Sequence, residues 1–523
     1  MKYLFVILAL WLTISISAQT NFTNPIIHAD YSDPDAVRVG EDYYLTASSF
    51  NHIPGLPILH SKDLVHWEII SYALSKQPPF DHYNKVQHGN GVWAPAIRYH
   101  DQQFYIYYPD PDFGIYMIKA KDPRGPWTEP VLVQAGKGLI DPCPLWDDDG
   151  KLYLVHAFAG SRAGIKSILV IKEMNEAGDK VTSEGVLVYD GHKNDPTVEG
   201  PKFYKRNGYY YIFAPAGGVT TGWQIVLRSR NIYGPYERRI VMAQGFSTTN
   251  GPHQGAWVNT ANGEDWFLHF QDKEAYGRIL HLQPMKWLND WPIIGIEKNG
   301  KEWGEPVANF KLPFTKSNAE NYLLPATDEF NGSTLGLQWQ WQANPGNSWY
   351  FTDPSEGKLR LNSQLWTDSN LYNYPALLMQ KFPAESFSAT MKMDGYFANN
   401  GDRAGLMVFG LDYATVYASI SDNQLELQFA TCTDAEKQRS EKIQERIKID
   451  SVRNLFFRVE VSKNAQCQFG YSLDGKNFTM FKQLFQAKPG KWVGAKLGMY
   501  CTRAVKFNDG AYTDIDHFKI YLK

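Results

Sequence analysis

A polar turn followed by an aromatic, β-prone run occurs five times in this chain. The copies are Gly40-Glu41-Asp42-Tyr43-Tyr44-Leu45, Asp101-Gln102-Gln103-Phe104-Tyr105-Ile106, Asp149-Gly150-Lys151-Leu152-Tyr153-Leu154, Asn207-Gly208-Tyr209-Tyr210-Tyr211-Ile212 and Asn262-Gly263-Glu264-Asp265-Trp266-Phe267. Turn residues between apolar runs mark hairpins. The spacing, roughly 50 to 60 residues, suits a four-stranded propeller blade. A second echo follows some of these hairpins: Ser61-Lys62-Asp63-Leu64-Val65-His66-Trp67, then Ala120-Lys121-Asp122-Pro123-Arg124-Gly125-Pro126-Trp127, then Ser229-Arg230-Asn231-Ile232-Tyr233-Gly234-Pro235-Tyr236. Five units imply an all-β chain whose residues 22–310 form a five-bladed β-propeller; the competing reading is a sandwich array with similar hairpins.

Helical periodicity is scarce. Residues 311–327, with Pro313, Ser317, Asn318 and Pro325, read as a linker. Alternating runs then resume, as in Leu425-Glu426-Leu427-Gln428-Phe429 and Phe456-Phe457-Arg458-Val459-Glu460-Val461. Residues 328–523 therefore suit a two-sheet β-sandwich.

Residues 1–18 read as a cleavable signal peptide, with Lys2 as the charge, Leu4 to Leu12 as the apolar core and Ala18 at the cleavage point. The apolar run is shorter than the ~20 residues that span a bilayer, so no membrane span is expected. The expected location is periplasmic or secreted. A net charge of −3 with no basic stripe recruits no nucleic acid. The 4 cysteines have no Cys-x-x-Cys spacing, which leaves no zinc site. One disulfide among the last three, or buried free thiols, are the two readings.

The chemistry sits just upstream of each hairpin, about 10 to 13 residues ahead, in the phase that forms a blade's innermost strand. These segments are Ser32-Asp33-Pro34, Trp93-Ala94-Pro95, Asp141-Pro142, Glu199-Gly200-Pro201 and His253-Gln254-Gly255. Two Asp, one Glu, one Trp and one His are thus expected to converge at one end of the axis. Inverting glycoside hydrolysis needs a protonated carboxyl on one face of the sugar and an ionised carboxylate holding water on the other. Asp33 and Glu199 answer that need, and Asp141 would raise the pKa of its nearest neighbour by repulsion. Asp35 rivals Asp33, since alternate strand residues share a face. Asp110, Asp112 and the run Asp147-Asp148-Asp149-Gly150 read as turn formers.

This set of motifs resembles glycoside hydrolase family 43 over nearly the whole mature chain. The resemblance implies Asp33 as general base, Glu199 as general acid and Asp141 as the residue that tunes the acid and orients the sugar. It makes Trp93 the wall of the first subsite and Arg278, in Tyr276-Gly277-Arg278-Ile279, a holder of sugar hydroxyls. His253 matches a channel His, and Phe50 adds a second apolar wall. Loops of the second domain near Trp366 to Tyr374 or Tyr396 to Arg403 are expected to rim the pocket. No cofactor is required and no metal ligand is assigned, with calcium in the propeller channel left open. The implied reaction is release of non-reducing terminal α-L-arabinofuranose from arabinosylated oligosaccharides, such as xyloglucan or xylan fragments. A β-D-xylosidase or a bifunctional enzyme on the same scaffold is the alternative, and a non-catalytic sugar-binding propeller is a third reading.

Overall fold

The computed structural model describes residues 21–298, 300–313 and 322–523. The leader segment 1–18 and residues 314–321 of the expected linker lie outside the described residues.

The five repeats are five antiparallel sheets, each of four successive strands. The first blade comprises Asp35–Val39, Asp42–Thr46, Gly55–Ser61 and Trp67–Leu74, paired in chain order. The innermost strands of the other blades are Ala96–His100, Leu139–Trp146, Lys202–Arg206 and His253–Asn259. The fourth blade gains two short strands, Gly304–Glu305 and Ile296–Glu297, at its outer edge. Asn207 and Gly208 both take positive φ, 50° and 69°, in the two-residue hairpin that pairs Arg206 with Tyr209. That is the turn whose twist matches its flanking strands. Asn21–Thr23 pairs with Asn309–Lys311, so the start and end of the ring are stitched together. The first residue of the expected linker, Lys311, therefore belongs to a strand.

The second half is a β-sandwich with sheets of eight and seven strands among the described residues. Its core holds Trp339, Phe429, Phe457, Phe469, Leu497 and Met499, all essentially buried. The alternation seen in Phe456 to Val461 places Phe457, Val459 and Val461 in that core. All four cysteines are buried free thiols.

Propeller and sandwich meet through main-chain hydrogen bonds. Ile53 and Trp341 exchange a pair at 2.9 and 2.6 Å, and Ala495 N–H donates to Ala275 O at 2.7 Å. Tyr276 of the fifth blade inserts its hydroxyl into the sandwich, donating to Glu385 O and accepting from Ala465 N–H, each at 2.8 Å.

Candidate active site

At one mouth of the propeller axis, Asp33, Asp141, Glu199, Phe50, Trp93 and Arg278 line one cavity of about 120 Å³. Ala94, Ile140, Val219, Gln254 and Trp492 complete the lining. Six of the seven residues singled out from sequence are therefore together. The seventh, His253, lies behind the wall with its Nε2 3.6 Å from Glu199 Oε1.

The motifs share a backbone device. Asp33 and Asp141 both take positive φ, 54° and 57°, immediately before proline. In the fourth blade the residue in that place is Gly200, φ 58°, and in the fifth it is Gln254, φ 34°. Such conformations are costly for residues other than Gly and cluster at functional sites. Glu199 is thus one position earlier in its repeat than the two aspartates are in theirs. Gly200 carries no Cβ because one would stand 2.7 Å from the Gln254 side chain.

Asp33 accepts from Ser32 Oγ at 2.8 Å, Ser48 Oγ at 2.6 Å and Arg278 Nη1 at 3.2 and 3.3 Å. Asp141 accepts the Gly200 N–H at 2.7 Å. Burial pushes the Asp141 carboxyl up to about 7, against the pull of the Gly200 N–H, and the Asp33 charge adds to the rise. Burial also raises Glu199, to about 8, with the Asp141 and Asp33 charges acting in the same direction. Glu199 keeps 34% of its side chain open to the cavity. It lacks the backbone N–H that favours the charged form of Asp141, so the shared proton resides preferentially on Glu199. His253 is driven down to about 3 by burial and by the Arg278 charge, which leaves a neutral imidazole beside Glu199.

Asp35 is not a member of the cavity. It is fully buried, accepts from Ile97 N–H at 2.8 Å and pairs with Arg98 Nη1 at 2.6 Å. Lys202 Nζ is 3.9 Å away and donates to Pro95 O at 2.7 Å. All three lie on innermost strands, Asp35–Val39, Ala96–His100 and Lys202–Arg206, and line no part of the cavity. Asp110 forms the turn expected of it, its Oδ1 accepting Asp112 N–H and its carbonyl accepting Phe113 N–H, each at 3.1 Å, and it is also buried, accepting from Tyr83 Oη at 2.5 Å. Asp147 matches the turn reading, paired with Lys205 and Tyr210.

Calcium takes six to eight oxygen ligands. Near the cavity floor, His253 offers two unpartnered ring nitrogens, and no group of three or more His, Cys, Asp or Glu side chains able to hold a metal occurs among the described residues. The residues present do not form a calcium cage.

Trp492 and Gln254 were not singled out in the sequence. Trp492 comes from the sandwich, takes φ 66° and lies half-exposed at the mouth. Its ring stands 6.4 Å from that of Trp93, edge to face, and 5.8 Å from the Arg278 guanidinium. The loops expected at the rim are elsewhere: Trp366 packs on Tyr374 inside the sandwich, and Tyr396 stacks on Tyr512. Tyr372 of those segments reaches the propeller, stacked on His88 at 3.9 Å. Trp93 is held from behind by Arg162, 5.4 Å from its ring, which also donates to Asn90 Oδ1 at 2.7 Å and pairs with Asp112 at 3.3 Å.

Two carboxyl groups raised by burial, beside an Asp33 held by Arg278 and set among aromatic walls, form the arrangement of a carbohydrate-cleaving hydrolase. Residues 22–292 match the model of glycosyl hydrolases family 43, and residues 327–521 match the β-xylosidase C-terminal concanavalin A-like domain. The chain belongs to glycosyl hydrolases family 43 and is a glycosidase acting on carbohydrate. A candidate β-xylosidase of Xylanibacter ruminicola is 37% identical over 90% of this chain and 85% of its own length. The non-reducing end α-L-arabinofuranosidase BoGH43B of Bacteroides ovatus is 31% identical over 78% of this chain and 77% of its own. The crystal structure of the GH43 BlXynB protein from Bacillus licheniformis superposes with a TM-score of 0.82 at 25% identity, covering 96% of this chain and all of that one. No helix among the described residues is long and apolar enough to cross a membrane.

Proposed function

We propose that this protein is an exo-acting, inverting glycosidase that removes one terminal pentose at a time. The observation that carries the reading is the meeting of Asp33, Asp141 and Glu199 in one small cavity with aromatic walls. Glu199, kept protonated by burial and its acidic neighbours, donates its proton to the glycosidic oxygen. Asp33 takes a proton from water, which attacks the anomeric carbon from the opposite face, and the configuration inverts. Asp141 keeps the acid protonated. Arg278 fixes Asp33 and faces the ring hydroxyls, while Trp93, Phe50 and Trp492 cover the apolar faces of the sugar.

The favoured substrate is α-L-arabinofuranose at the non-reducing ends of arabinosylated plant oligosaccharides, supported by the likeness to the Bacteroides ovatus arabinofuranosidase. The second reading, a β-D-xylosidase, is favoured by the 37% identical Xylanibacter ruminicola relative and by the C-terminal domain match. We further propose export to the periplasm or medium, from the apolar leader at residues 1–18.

Proton NMR of the first-formed product tests the reaction. Inverted arabinose supports the reading, inverted xylose moves it to the second substrate, and retained configuration sinks the mechanism. Rates on aryl α-L-arabinofuranoside and aryl β-D-xyloside, measured side by side, decide the preference.

A further inference from the structure

Asp30 lies outside the cavity and joins the two halves of the protein behind it. It is 5% exposed. Its Oδ1 accepts the main-chain N–H of Arg278 at 2.9 Å, and its Oδ2 accepts the main-chain N–H of Gly494 at 3.0 Å. Arg278 belongs to the propeller and holds Asp33. Gly494 belongs to the sandwich and is two residues from Trp492. The next residue, Tyr31, donates its N–H to Arg278 O at 2.9 Å, so both main-chain polar groups of Arg278 are tied to this segment. The sandwich returns two lysines: half-buried Lys381 donates its Nζ to Asp30 O at 2.6 Å, and buried Lys496 places its Nζ 3.9 Å from Oδ2. At this seam the backbones touch. A Cβ on Gly494 would stand 2.8 Å from Gly277 N and from Tyr276 C and O.

We propose that Asp30 is a positioning residue whose carboxylate, by holding Arg278 and the Trp492 loop in one register, sets the shape of the sugar pocket across the junction of propeller and sandwich. The proposal rests on the reading of the Asp33–Glu199 cavity as the catalytic one. A residue serving stability alone would, when replaced, lower the melting temperature and leave the kinetics of the folded molecules unchanged. A positioning residue changes how well the pocket grips the pentose.

The test uses the full chain and the better aryl pentoside. Asp30→Asn keeps the size and one accepting oxygen but turns an amide NH₂ toward one of the two N–H donors, so one tether is lost. The expected result is a rise in KM of about tenfold, the equivalent of one lost charge-assisted hydrogen bond, with a smaller fall in kcat. Combined with Trp492→Ala, the loss in kcat/KM is expected to be no greater than that of the more severe single variant, because both act on the same wall. Wild-type KM in Asp30→Asn, or losses that multiply in the double variant, would overturn the proposal. If Asp30→Asn does not fold, Gly494→Ala is the second variant, since its methyl group wedges the seam apart. The same rise in KM and the same non-additivity are expected, and a wild-type KM overturns the proposal. Failure of the cavity reading is separate, because it would appear as turnover by Glu199→Gln.

Discussion

Asp141 accepts the main-chain N–H of Gly200 at 2.7 Å, one residue past Glu199. The hydrogen bond fixes the distance at which one acidic group acts on another. Replacing Asp141 with Asn keeps an accepting oxygen and removes the charge. Burial, the largest cause of the Glu199 shift, remains, but the largest repulsive one is lost. The alkaline limb of the kcat–pH profile is expected to move down by about one unit, and kcat at neutral pH to fall. A limb that stays in place would separate Asp141 from the proton of Glu199.

In the wild-type enzyme, activity is expected to be lost as pH rises through about 8, where Glu199 gives up its proton. Glu199→Gln cannot donate and is expected to lose at least about a hundredfold in kcat, as is Asp33→Asn. The same shift has a consequence for stability. In the unfolded chain Glu199 returns to the ordinary Glu value, 4.5. Between that value and about 8 the folded protein binds a proton that the unfolded chain has released, so stability falls as pH rises through this window. Glu199→Gln removes that loss. Its melting temperature is expected to exceed that of the wild type at pH 7 and to match it near pH 4, as calorimetry would register.

Asp35 gives the opposite signature to Asp33. Its carboxylate is fully buried against Arg98, with Lys202 nearby. Removing one partner of a buried pair typically costs about 3–5 kcal/mol. Asp35→Ala is therefore expected to lower the denaturation midpoint strongly, while active-site-normalised kcat of the folded fraction stays near that of the wild type. Loss of kcat with unchanged stability would reverse the assignments of Asp33 and Asp35.

Trp492→Ala removes the one cavity wall supplied by the sandwich. KM for an aryl pentoside is expected to rise about tenfold, with kcat much less affected, because a stacked aromatic face is worth roughly 0.5–1.5 kcal/mol beyond its buried area. An unchanged KM would leave the sandwich without a part in binding.

The ring of blades and three cavity acids were legible because each repeat carries its own local signal, a turn plus an aromatic strand, and the acids share a place in it. The one-residue offset of Glu199 was not legible. It depends on Gly200 taking the positive φ that Asp33 and Asp141 take in their repeats. Gln254 was passed over for its neighbour His253, since sequence favours the more reactive side chain, whereas the backbone at φ 34° decides which one faces the cavity. The motif resemblance favoured Asp33 over Asp35, but the role of Asp35 was not legible, because its partner Arg98 comes from another blade. Trp492 is more than two hundred residues from any blade motif. Its place follows from the docking of two domains, which no local pattern encodes.

Asp35, Arg98 and Lys202 form a charged cluster on the inner strands outside the cavity; in the proposed reaction a freed sugar leaves by the mouth through which the chain end arrived. The trimmed polymer has to back out before the monosaccharide behind it can depart. Product inhibition by the liberated pentose, competitive with substrate, is built into such a pit, and the enzyme must let go of its substrate after every cut.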